Sequence, residues 1–286
     1  MQTLQQKAKV LIEALPYIQR FSGKIIVIKY GGSAMEDENL KKSVVLDIAL
    51  LKSIGFKPII IHGGGKEISK WINKLGGEAK FEDGFRITDE SALQVAEMVL
   101  NYINKSLVGY MGSFGVRAVG ISGKDGGTLN ASKKLINGKD IGFVGNVKSV
   151  DIRLIVSLLD SDFVPVICPI SADKSGQGYN INADDAACAI AQGLNAEKLV
   201  FLSDIEGIYR DFSDKESLIP ILKTSEAKNL LKSDGVSGGI LPKLQNCIEA
   251  IENGVSRVHI IDGRIEHCLL LEFFTDKGIG TAILRD

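Results

Sequence analysis

The sequence has 286 residues, of which 45% are hydrophobic and 24% are charged, the proportions of an ordinary globular protein. Its 34 basic and 35 acidic residues leave a formal net charge of -1, which argues against a general nucleic-acid-binding surface. No apolar run is long enough for a membrane span, and polar side chains interrupt the first twenty residues, so we expect neither a membrane partner nor a signal peptide.

The cysteines and histidines of the chain are scattered. The four cysteines lie far apart in apolar surroundings, at positions 168, 188, 247 and 268. The three histidines lack the spacing of a zinc site. The sequence therefore predicts reduced core cysteines in a cytoplasmic protein, and no metal ligands among its side chains.

The first predicted element is a helix over residues 3–20, because apolar residues recur there at helical spacing. Pro16 should kink or interrupt this helix near Leu15. Since the helix precedes the first buried strand, it is an addition to the sheet. It packs either on its own subunit or on another one, and the pattern does not decide between these.

The stretch from Ile25 to Ile28 consists of four β-branched residues, which predicts a strand buried on both faces as in a parallel sheet. The strand ends in Lys29, followed by Gly31 and Gly32. Glycines at the carboxyl end of a buried strand can offer backbone N–H groups to a phosphate, and the lysine adds a cation. Taken alone, this segment is better explained as a strand that ends in an ordinary glycine turn.

A second strand of the same kind spans 58–61 and ends in His62 and three glycines, which open a helix that reaches Leu75. A helix over 37–54 separates the two strands, so the three elements form a βαβ unit. The free N–H groups at the start of the second helix favour an anion. Two strand-to-glycine transitions strengthen the prediction of a phosphate site.

The rest of the chain alternates strands with helices. After an irregular segment over 81–88, we predict a helix that is capped by Thr88 or Asp89 and ends near Ser106. The remaining predicted elements are strands at 116–121, 164–168, 199–202 and 258–261, a β-hairpin within 129–147, a loop at 175–179, and helices at 151–159, 183–194, 225–231 and up to 253. This alternation predicts an α/β protein with a mainly parallel sheet.

Ligands of parallel sheets bind beyond the carboxyl ends of the strands. The residues expected at that edge are mostly glycines and hydroxyls, with Lys29, Asp204 and the single histidine His62. Such an edge suits a nucleoside triphosphate better than a reaction that needs a strong general base.

Six segments, in order, resemble the motifs of the amino acid kinase family over residues 22–286. They are Ile28-Lys29-Tyr30-Gly31-Gly32, Ile61-His62-Gly63-Gly64-Gly65, Gly84-Phe85-Arg86-Ile87-Thr88, Tyr179-Asn180-Ile181-Asn182-Ala183-Asp184, Leu202-Ser203-Asp204-Ile205-Glu206-Gly207 and Gly238-Gly239-Ile240-Leu241-Pro242-Lys243. The third and fourth segments resemble the branch that phosphorylates N-acetyl-L-glutamate. The resemblance implies a three-layer α/β/α sandwich with an N-terminal helical extension (1–21), an acceptor-binding and dimerisation lobe (22–175) and an ATP-binding lobe (176–286).

The resemblance also implies transfer of the γ-phosphoryl group of ATP to the side-chain carboxylate of N-acetyl-L-glutamate, the second step of arginine biosynthesis. A carboxylate with a pKa near ~4.3 is already ionised at neutral pH, so no base has to activate it. The chemical difficulty is the repulsion between two anions, which lysines, backbone N–H groups and Mg²⁺ can offset. Mg²⁺ would be held mainly by the ATP phosphates.

The site residues implied by the resemblance fall into three groups. The catalytic group is Lys29, Lys243 and Asp184; the acceptor-binding group is Gly64, Gly65, Arg86 and Asn180; the ATP-binding group is Gly31, Gly32, Ser203, Asp204 and Tyr209. The two lysines would stabilise the transferring phosphoryl group, and Asp184 would orient them. Each residue also has a simpler interpretation, for example Lys29 as a surface lysine or Asp184 as a helix N-cap.

The N-terminal helix and the end of the chain resemble the arginine-inhibited members of the family. In these members the added helix joins dimers into a hexamer. His267, Glu272 and Gly278 match the positions at which arginine binds. We therefore predict feedback inhibition by arginine and a hexamer built as a trimer of dimers, and leave open whether a PII-type signalling protein binds.

Three other interpretations remain for the chain. The G-x-S-x-G pattern at 235–239, with Asp262 and His267 downstream, fits a hydrolase, but the residues before it predict a helix where that motif needs a buried strand. A non-catalytic arginine- or nucleotide-sensing module would keep the fold without the chemistry. A related kinase could act on another carboxylate, such as an aminoadipate derivative.

Overall fold

Within the described residues, the main sheet has eight strands, with β1 (Ile25–Tyr30) near its middle. The computed structural model describes residues 2–211, 213–232, 240–275 and 277–286. The other strands of this sheet are β2 (Lys57–His62), β5 (Ala118–Ser122), β8 (Val164–Cys168), β11 (Lys198–Ser203), β12 (Ile221–Lys223), β13 (Arg257–Asp262) and β14 (Thr281–Leu284). Their order is β12-β14-β13-β11-β1-β2-β8-β5, and every neighbouring pair is parallel except β13–β14.

Side chains of β1 pack on both faces of the sheet, as its run of β-branched residues predicts. Val27 packs into the core on one face, whereas Ile26, Ile28 and Tyr30 pack into the core on the other face. All four side chains are almost completely buried. Two cores separated by one sheet confirm the three-layer α/β/α architecture.

The helices that cover the two faces are mostly those predicted. They are α1 (Gln2–Phe21), α2 (Glu38–Ser53), α3 (Gly65–Lys74), α4 (Glu90–Ser113), α5 (Arg153–Asp160), α6 (Ala183–Gly193), α7 (Thr224–Leu231), α8 (Ile240–Glu252) and α9 (Cys268–Phe273). Helix α1 continues through Pro16, so the predicted interruption is wrong. Helix α4 begins after its cap Asp89 as predicted but runs seven residues beyond Ser106, because apolar residues such as Leu107 and Met111 continue its buried face.

A second, smaller sheet closes on itself beside the main one. Its strands are β6 (Leu129–Ile136), β7 (Lys139–Val150), β9 (Ile170–Ala172) and β10 (Gly178–Ile181). The predicted hairpin is confirmed: β6 and β7 are antiparallel, and Asn137 and Gly138 between them both have positive φ. The predicted loop at 175–179 becomes strand from Gly178, which pairs with Ala172.

Residues of the predicted irregular segment form a short antiparallel ribbon, β3 (Phe81–Glu82) and β4 (Phe85–Arg86). The positive φ angles of Asp83 and Gly84 make the turn between them. A ribbon with two residues in each strand is too short to show periodicity, which is why the sequence did not predict it.

All four cysteines are buried and unpaired. Burial raises the pKa of the Cys168 and Cys268 thiols to about 12, and it raises the pKa of Cys188 and Cys247 as well. In the described part of the chain, we find no helix whose length and hydropathy would let it cross a membrane.

Candidate phosphoryl-transfer site

Two lysines from distant parts of the chain share one carboxylate. Nζ of Lys29, near the end of β1, lies 2.9 Å from Oδ1 of Asp184. Nζ of Lys243, in the first turn of α8, lies 2.6 Å from Oδ2 of the same residue. Burial alone would raise the pKa of Asp184, but the two ammonium groups outweigh it and lower this pKa to about 2. The three predicted catalytic residues therefore meet in one cluster of ion pairs.

The start of helix α6 fixes the position of Asp184. The side chain of Asn182 caps the helix and accepts a hydrogen bond from the backbone N–H of Asp184 at 2.8 Å. With the cap supplied by Asn182, the Asp184 carboxylate is left to bind the lysines. The simpler interpretation of Asp184 as the N-cap residue is therefore wrong.

The glycine loops that follow β1 and β2 approach other groups closely. A Cβ atom on Gly32 would lie 2.6 Å from Oδ1 of Asp204, and the φ of +66° at this residue also favours glycine. A Cβ on Gly64 would lie 2.7 Å from Cδ1 of Ile103. Helix α3 begins at Gly65, so its first N–H groups point to the same edge of the sheet. Both loops can present backbone donors to an anion.

A cavity of about 310 Å³ has Lys29 in its lining. Eight predicted site residues line it, among them Lys29, Gly31, Gly32, Gly64, Gly65, Arg86 and Asn180. Asp184 also lines it, together with Phe81, Phe85 and Val144 from the two smaller sheets. The cavity therefore joins the cationic cluster to a partly apolar chamber that can hold a small acidic molecule.

Arg86 is a second positively charged residue in the lining of this cavity. Its Nη2 donates to the carbonyl of Gly65 at 2.6 Å and to Oγ of Ser69 at 2.8 Å, and its guanidinium lies 4.8 Å from the centre of the Phe81 ring. Within the described residues, its buried Nη1 has no hydrogen-bond partner. Burial lowers the pKa of Arg86, and a buried unpaired donor on a cation favours a bound carboxylate.

The residues predicted to bind the nucleotide follow β11, next to β1 in the sheet. Asp204 accepts a hydrogen bond from the N–H of Ser33 at 2.9 Å, so it holds the Gly32 loop. Ser203 ends β11, and the Tyr209 hydroxyl contacts the carboxylate of Glu206. In the sheet, β11 and β2 lie on opposite sides of β1, and the glycine loop after β2 lines the cavity.

The three residues predicted to bind arginine have different partners. Glu272 and Gly278 are adjacent, because a Cβ on Gly278 would lie 2.6 Å from Oε2 of Glu272. His267 contacts another carboxylate: its Nδ1 is 2.6 Å from Oδ1 of Asp47, and its N–H donates to Ser43. The histidine that contacts Glu272 is His259, whose Nδ1 is 2.6 Å from Oε1.

Sequence reasoning missed the cluster around Glu272. Nζ of Lys198 lies 3.4 Å from Nε2 of His259, and burial lowers the pKa of Lys198 to about 8. Lys198 and His259 belong to the neighbouring strands β11 and β13. A histidine inside the apolar run Val258-His259-Ile260-Ile261 was the available signal, since polar residues are rare in buried strands.

Two predicted features involve residues outside the described ranges. The glycines at 238 and 239 lie there, as does the whole G-x-S-x-G pattern with Ser237. The other two residues of the hydrolase interpretation have partners of their own. Asp262 accepts from Arg264 at 2.8 Å, and His267 contacts Asp47. The structure offers the hydrolase interpretation no support.

The profile of the amino acid kinase family matches residues 24–262. The chain belongs to the amino acid kinase family. Two acetylglutamate kinases are each 54% identical to it: one from Campylobacter jejuni subsp. jejuni, with 99% of this chain and 100% of that protein aligned, and one from Caldanaerobacter subterraneus subsp. tengcongensis, with 98% and 94% aligned.

Solved structures have the same fold. N-acetylglutamate synthase from Neisseria gonorrhoeae, complexed with coenzyme A and N-acetyl-glutamate, superposes with a TM-score of 0.87 at 28% identity. The match covers 98% of this chain but 63% of that longer chain. Carbamate kinase from Giardia lamblia bound to AMP-PNP superposes with a TM-score of 0.66 at 16% identity, over 92% and 99% of the two chains.

The site has cations for phosphates but no evident metal ligands. Among the described residues, no three histidine, cysteine or acidic side chains are grouped to hold a metal ion. Both oxygens of Asp184 already bind lysines. The donors fit an anionic triphosphate, and a metal ion would have to be held mainly by that triphosphate.

Proposed function

We infer that this protein is an acetylglutamate kinase, which transfers the γ-phosphoryl group of ATP to the side-chain carboxylate of N-acetyl-L-glutamate. The products are ADP and N-acetyl-L-glutamyl 5-phosphate. The observation that carries this inference is that Lys29 and Asp184 line the same cavity as Arg86, while Lys243 binds the second oxygen of Asp184. The relatives at 54% identity over nearly the whole chain support the same activity.

In the proposed reaction a carboxylate oxygen of the acceptor forms a bond to the γ-phosphorus. The bond from that phosphorus to the β–γ bridging oxygen breaks, and ADP leaves with the electron pair. The acceptor is already ionised, so no proton has to be removed. The protein therefore has to position two anions and neutralise the charge on the transferring group.

Lys29 and Lys243 are the residues proposed for that neutralisation. Their side chains are 15% and 12% exposed, so little water screens their charges. Asp184 keeps both ammonium groups in place, so they need not reorganise during transfer. Replacing either lysine by methionine should lower kcat by on the order of 10²–10³, the loss found for one oxyanion-hole donor.

The acceptor is proposed to lie between the lysines and Arg86. Arg86 would bind the α-carboxylate through its unpaired Nη1, and Asn180 would bind the acetylamino group. Gly64 and Gly65 would donate backbone N–H bonds. ATP would lie along Gly31, Gly32, Ser203, Asp204 and Tyr209, and the Mg²⁺ that accompanies it would supply further positive charge on its phosphates.

A coupled ADP-release assay tests this function. The acceptors to compare are N-acetylglutamate, glutamate, aspartate, carbamate, UMP and an N-acetylated aminoadipate. We expect N-acetylglutamate to have the highest kcat/KM, by at least about 10²-fold over glutamate, since glutamate leaves the acetyl-binding groups unpaired. A preference for another acceptor would identify a different member of the family, and the absence of ADP release with every acceptor would support a sensing module.

We also propose feedback inhibition by arginine and a homohexamer built as a trimer of dimers. Leu4, Leu11 and Ile12 of α1 are 70%, 73% and 68% exposed, and such a stripe favours contact with another subunit. Tyr17 and Phe21 at the end of α1 pack on the core. Deleting residues 1–14 should therefore leave the fold intact and yield dimers by light scattering, and hexamers formed by the truncated chain would contradict the proposal.

The division of the chain and its location are further proposals. We assign 1–21 to subunit contact, 22–175 to acceptor binding and dimerisation, and 176–286 to ATP binding. Four buried, unpaired cysteines favour a reducing compartment, which supports a cytoplasmic enzyme. A PII-type protein is a candidate partner, which a pull-down with the purified hexamer would test.

A further inference from the structure

A second ion pair involves the residue that follows Asp184 in the chain. Nζ of Lys134, on β6, is 2.9 Å from Oδ2 of Asp185, the residue after Asp184 in α6. The other oxygen of Asp185 accepts a hydrogen bond from Nδ2 of Asn246, on α8, at 3.0 Å. Asp185 therefore joins the small sheet to the two helices that carry Asp184 and Lys243.

The two connections between α6 and α8 run side by side. Lys243 and Asn246 are three residues apart, so they lie on the same face of α8. Lys243 binds Asp184, and Asn246 binds Asp185. Fixing Asn246 limits rotation and sliding of α8, and this keeps the Lys243 ammonium group at its position over the transferring phosphoryl group.

Lys134 also contacts the wall of the acceptor cavity. Its Nζ lies 4.2 Å from the centre of the Phe85 ring, close enough for a cation–π interaction. Phe85 lines the cavity and directly precedes Arg86 in the β3–β4 ribbon. One ammonium group thus contacts both the acceptor wall and the helix that carries the catalytic aspartate.

The environment of Lys134 differs from that of its neighbour Lys133. The Lys134–Asp185 side chains are 18% and 24% exposed, whereas the Lys133–Asp140 pair at 2.8 Å is 41% and 57% exposed. Water screens the outer pair more strongly and leaves it little energetic weight. Lys133 pairs with Asp140 of β7 and not with a residue of α6, and it is therefore a matched control.

We propose that Lys134 is a positioning residue that couples the acceptor wall at Phe85 to the phosphoryl-transfer groups on α6 and α8 through Asp185. The inference rests on the proposed kinase function. Through this link, the ribbon that carries Arg86 and the helix that carries Asp184 keep a fixed separation. That separation sets the distance between the acceptor carboxylate and the γ-phosphorus.

The variant Lys134→Met tests the proposal, with Lys133→Met as its control. We expect K134M to lower kcat by roughly tenfold to a hundredfold and to raise the KM for the acceptor, since small misplacements of reacting groups cost this much. The KM for ATP and the melting temperature should match those of K133M. Lys134→Arg, which keeps the cation, should restore kcat. A kcat in K134M equal to that in K133M would overturn the proposal.

A second measurement does not depend on turnover. Hydrogen exchange of the amides at 85–86 and 240–246 should be faster in K134M than in K133M, and Asp185→Asn should have the same effect. The double variant K134M/D185N should exchange no faster than either single one. Unchanged exchange in both single variants would overturn the inference, whereas loss of ADP release in the unmodified enzyme would overturn the proposed function alone.

Discussion

Nζ of Lys243 lies 2.6 Å from Oδ2 of Asp184, although the two residues are 59 positions apart in the chain. The contact joins the first turn of α8 to the first turn of α6. It makes the position of one proposed catalytic cation depend on a carboxylate that is proposed to orient the lysines and not to transfer a proton.

The variant Asp184→Asn should lower kcat by on the order of 10²–10³, because an amide cannot hold two ammonium groups at their reacting positions. Steady-state ADP release measures the loss. Asp160→Asn, which removes the partner of Lys57 in an exposed pair, should keep its activity. Full activity in D184N would show that the lysines find their positions without this carboxylate.

The variant Arg86→Met should raise the KM for N-acetylglutamate by about 10²-fold, since one charged hydrogen-bond partner of the substrate is lost. The KM for ATP should stay the same, because Arg86 is on the acceptor side of the lysines. Ser69→Ala, which removes only a support of Nη2, should have a smaller effect in the same direction. Equal changes in both KM values would contradict the assignment of Arg86.

The strands and glycine loops of the site could be predicted because their signals are local. The four residues from Ile25 to Ile28 are consecutive, as are the glycines after β2, so each local run predicts a buried strand or the turn at its end. The link from Lys134 to Asp185 spans 51 positions and joins the small sheet to helix α6. No periodicity encodes such a contact, because it depends on how distant elements pack.

The contact between His259 and Glu272 was missed for the same reason. His267 is nearer to Glu272 in the sequence, but it begins α9 in a left-handed conformation and faces Asp47. His259 contacts Glu272 because its strand, β13, packs against α9. Helix α9 and strands β12 and β14 are short, so their sequences show no clear hydrophobic periodicity.

The buried His62 should make stability depend on pH. Burial lowers its pKa to about 4, and its Nε2 is 3.2 Å from Nδ2 of Asn104. Between about pH 4 and 6.5 the unfolded chain binds more protons than the folded protein. The contribution of neutral His62 to the free energy of unfolding is therefore complete above pH 6.5 and is lost as the pH falls towards 4. The difference of about 2.5 between the pKa values of His62 in the unfolded and folded states corresponds to roughly 3 kcal/mol of unfolding free energy. Urea unfolding of the protein and of His62→Asn over this range measures the difference.

Asp47 provides a control of opposite sign. Burial raises its pKa to about 6 despite the hydrogen bond from His267, so the native state binds more protons than the unfolded state between about pH 4 and 6. This contribution is present at low pH and is lost as the pH rises through 6. Asp47→Asn should therefore steepen the rise of stability with pH, whereas H62N should flatten it. Changes of the same sign in the two variants would contradict these assignments.

Arginine inhibition should depend on Glu272. The variant Glu272→Gln should raise the arginine concentration for half-inhibition by at least about tenfold, the loss of one charged hydrogen bond, and leave kcat unchanged without arginine. The variants His259→Asn and His267→Asn separate the two histidines. If H259N behaves like E272Q and H267N like the unmodified enzyme, the inhibitor binds at the buried pair. Unchanged inhibition in E272Q would place it elsewhere.

Cys247 follows Asn246 in α8 and is completely enclosed, with its thiol held in the unreactive protonated form. Alkylating reagents attack thiolates, so they can modify this sulfur only when α8 separates from its surroundings. The alkylation rate of Cys247 therefore reports how often α8, the helix that carries Lys243, opens. The labelling rate of Cys247, followed by mass spectrometry with and without nucleotide, would time the opening of this helix in an unaltered protein.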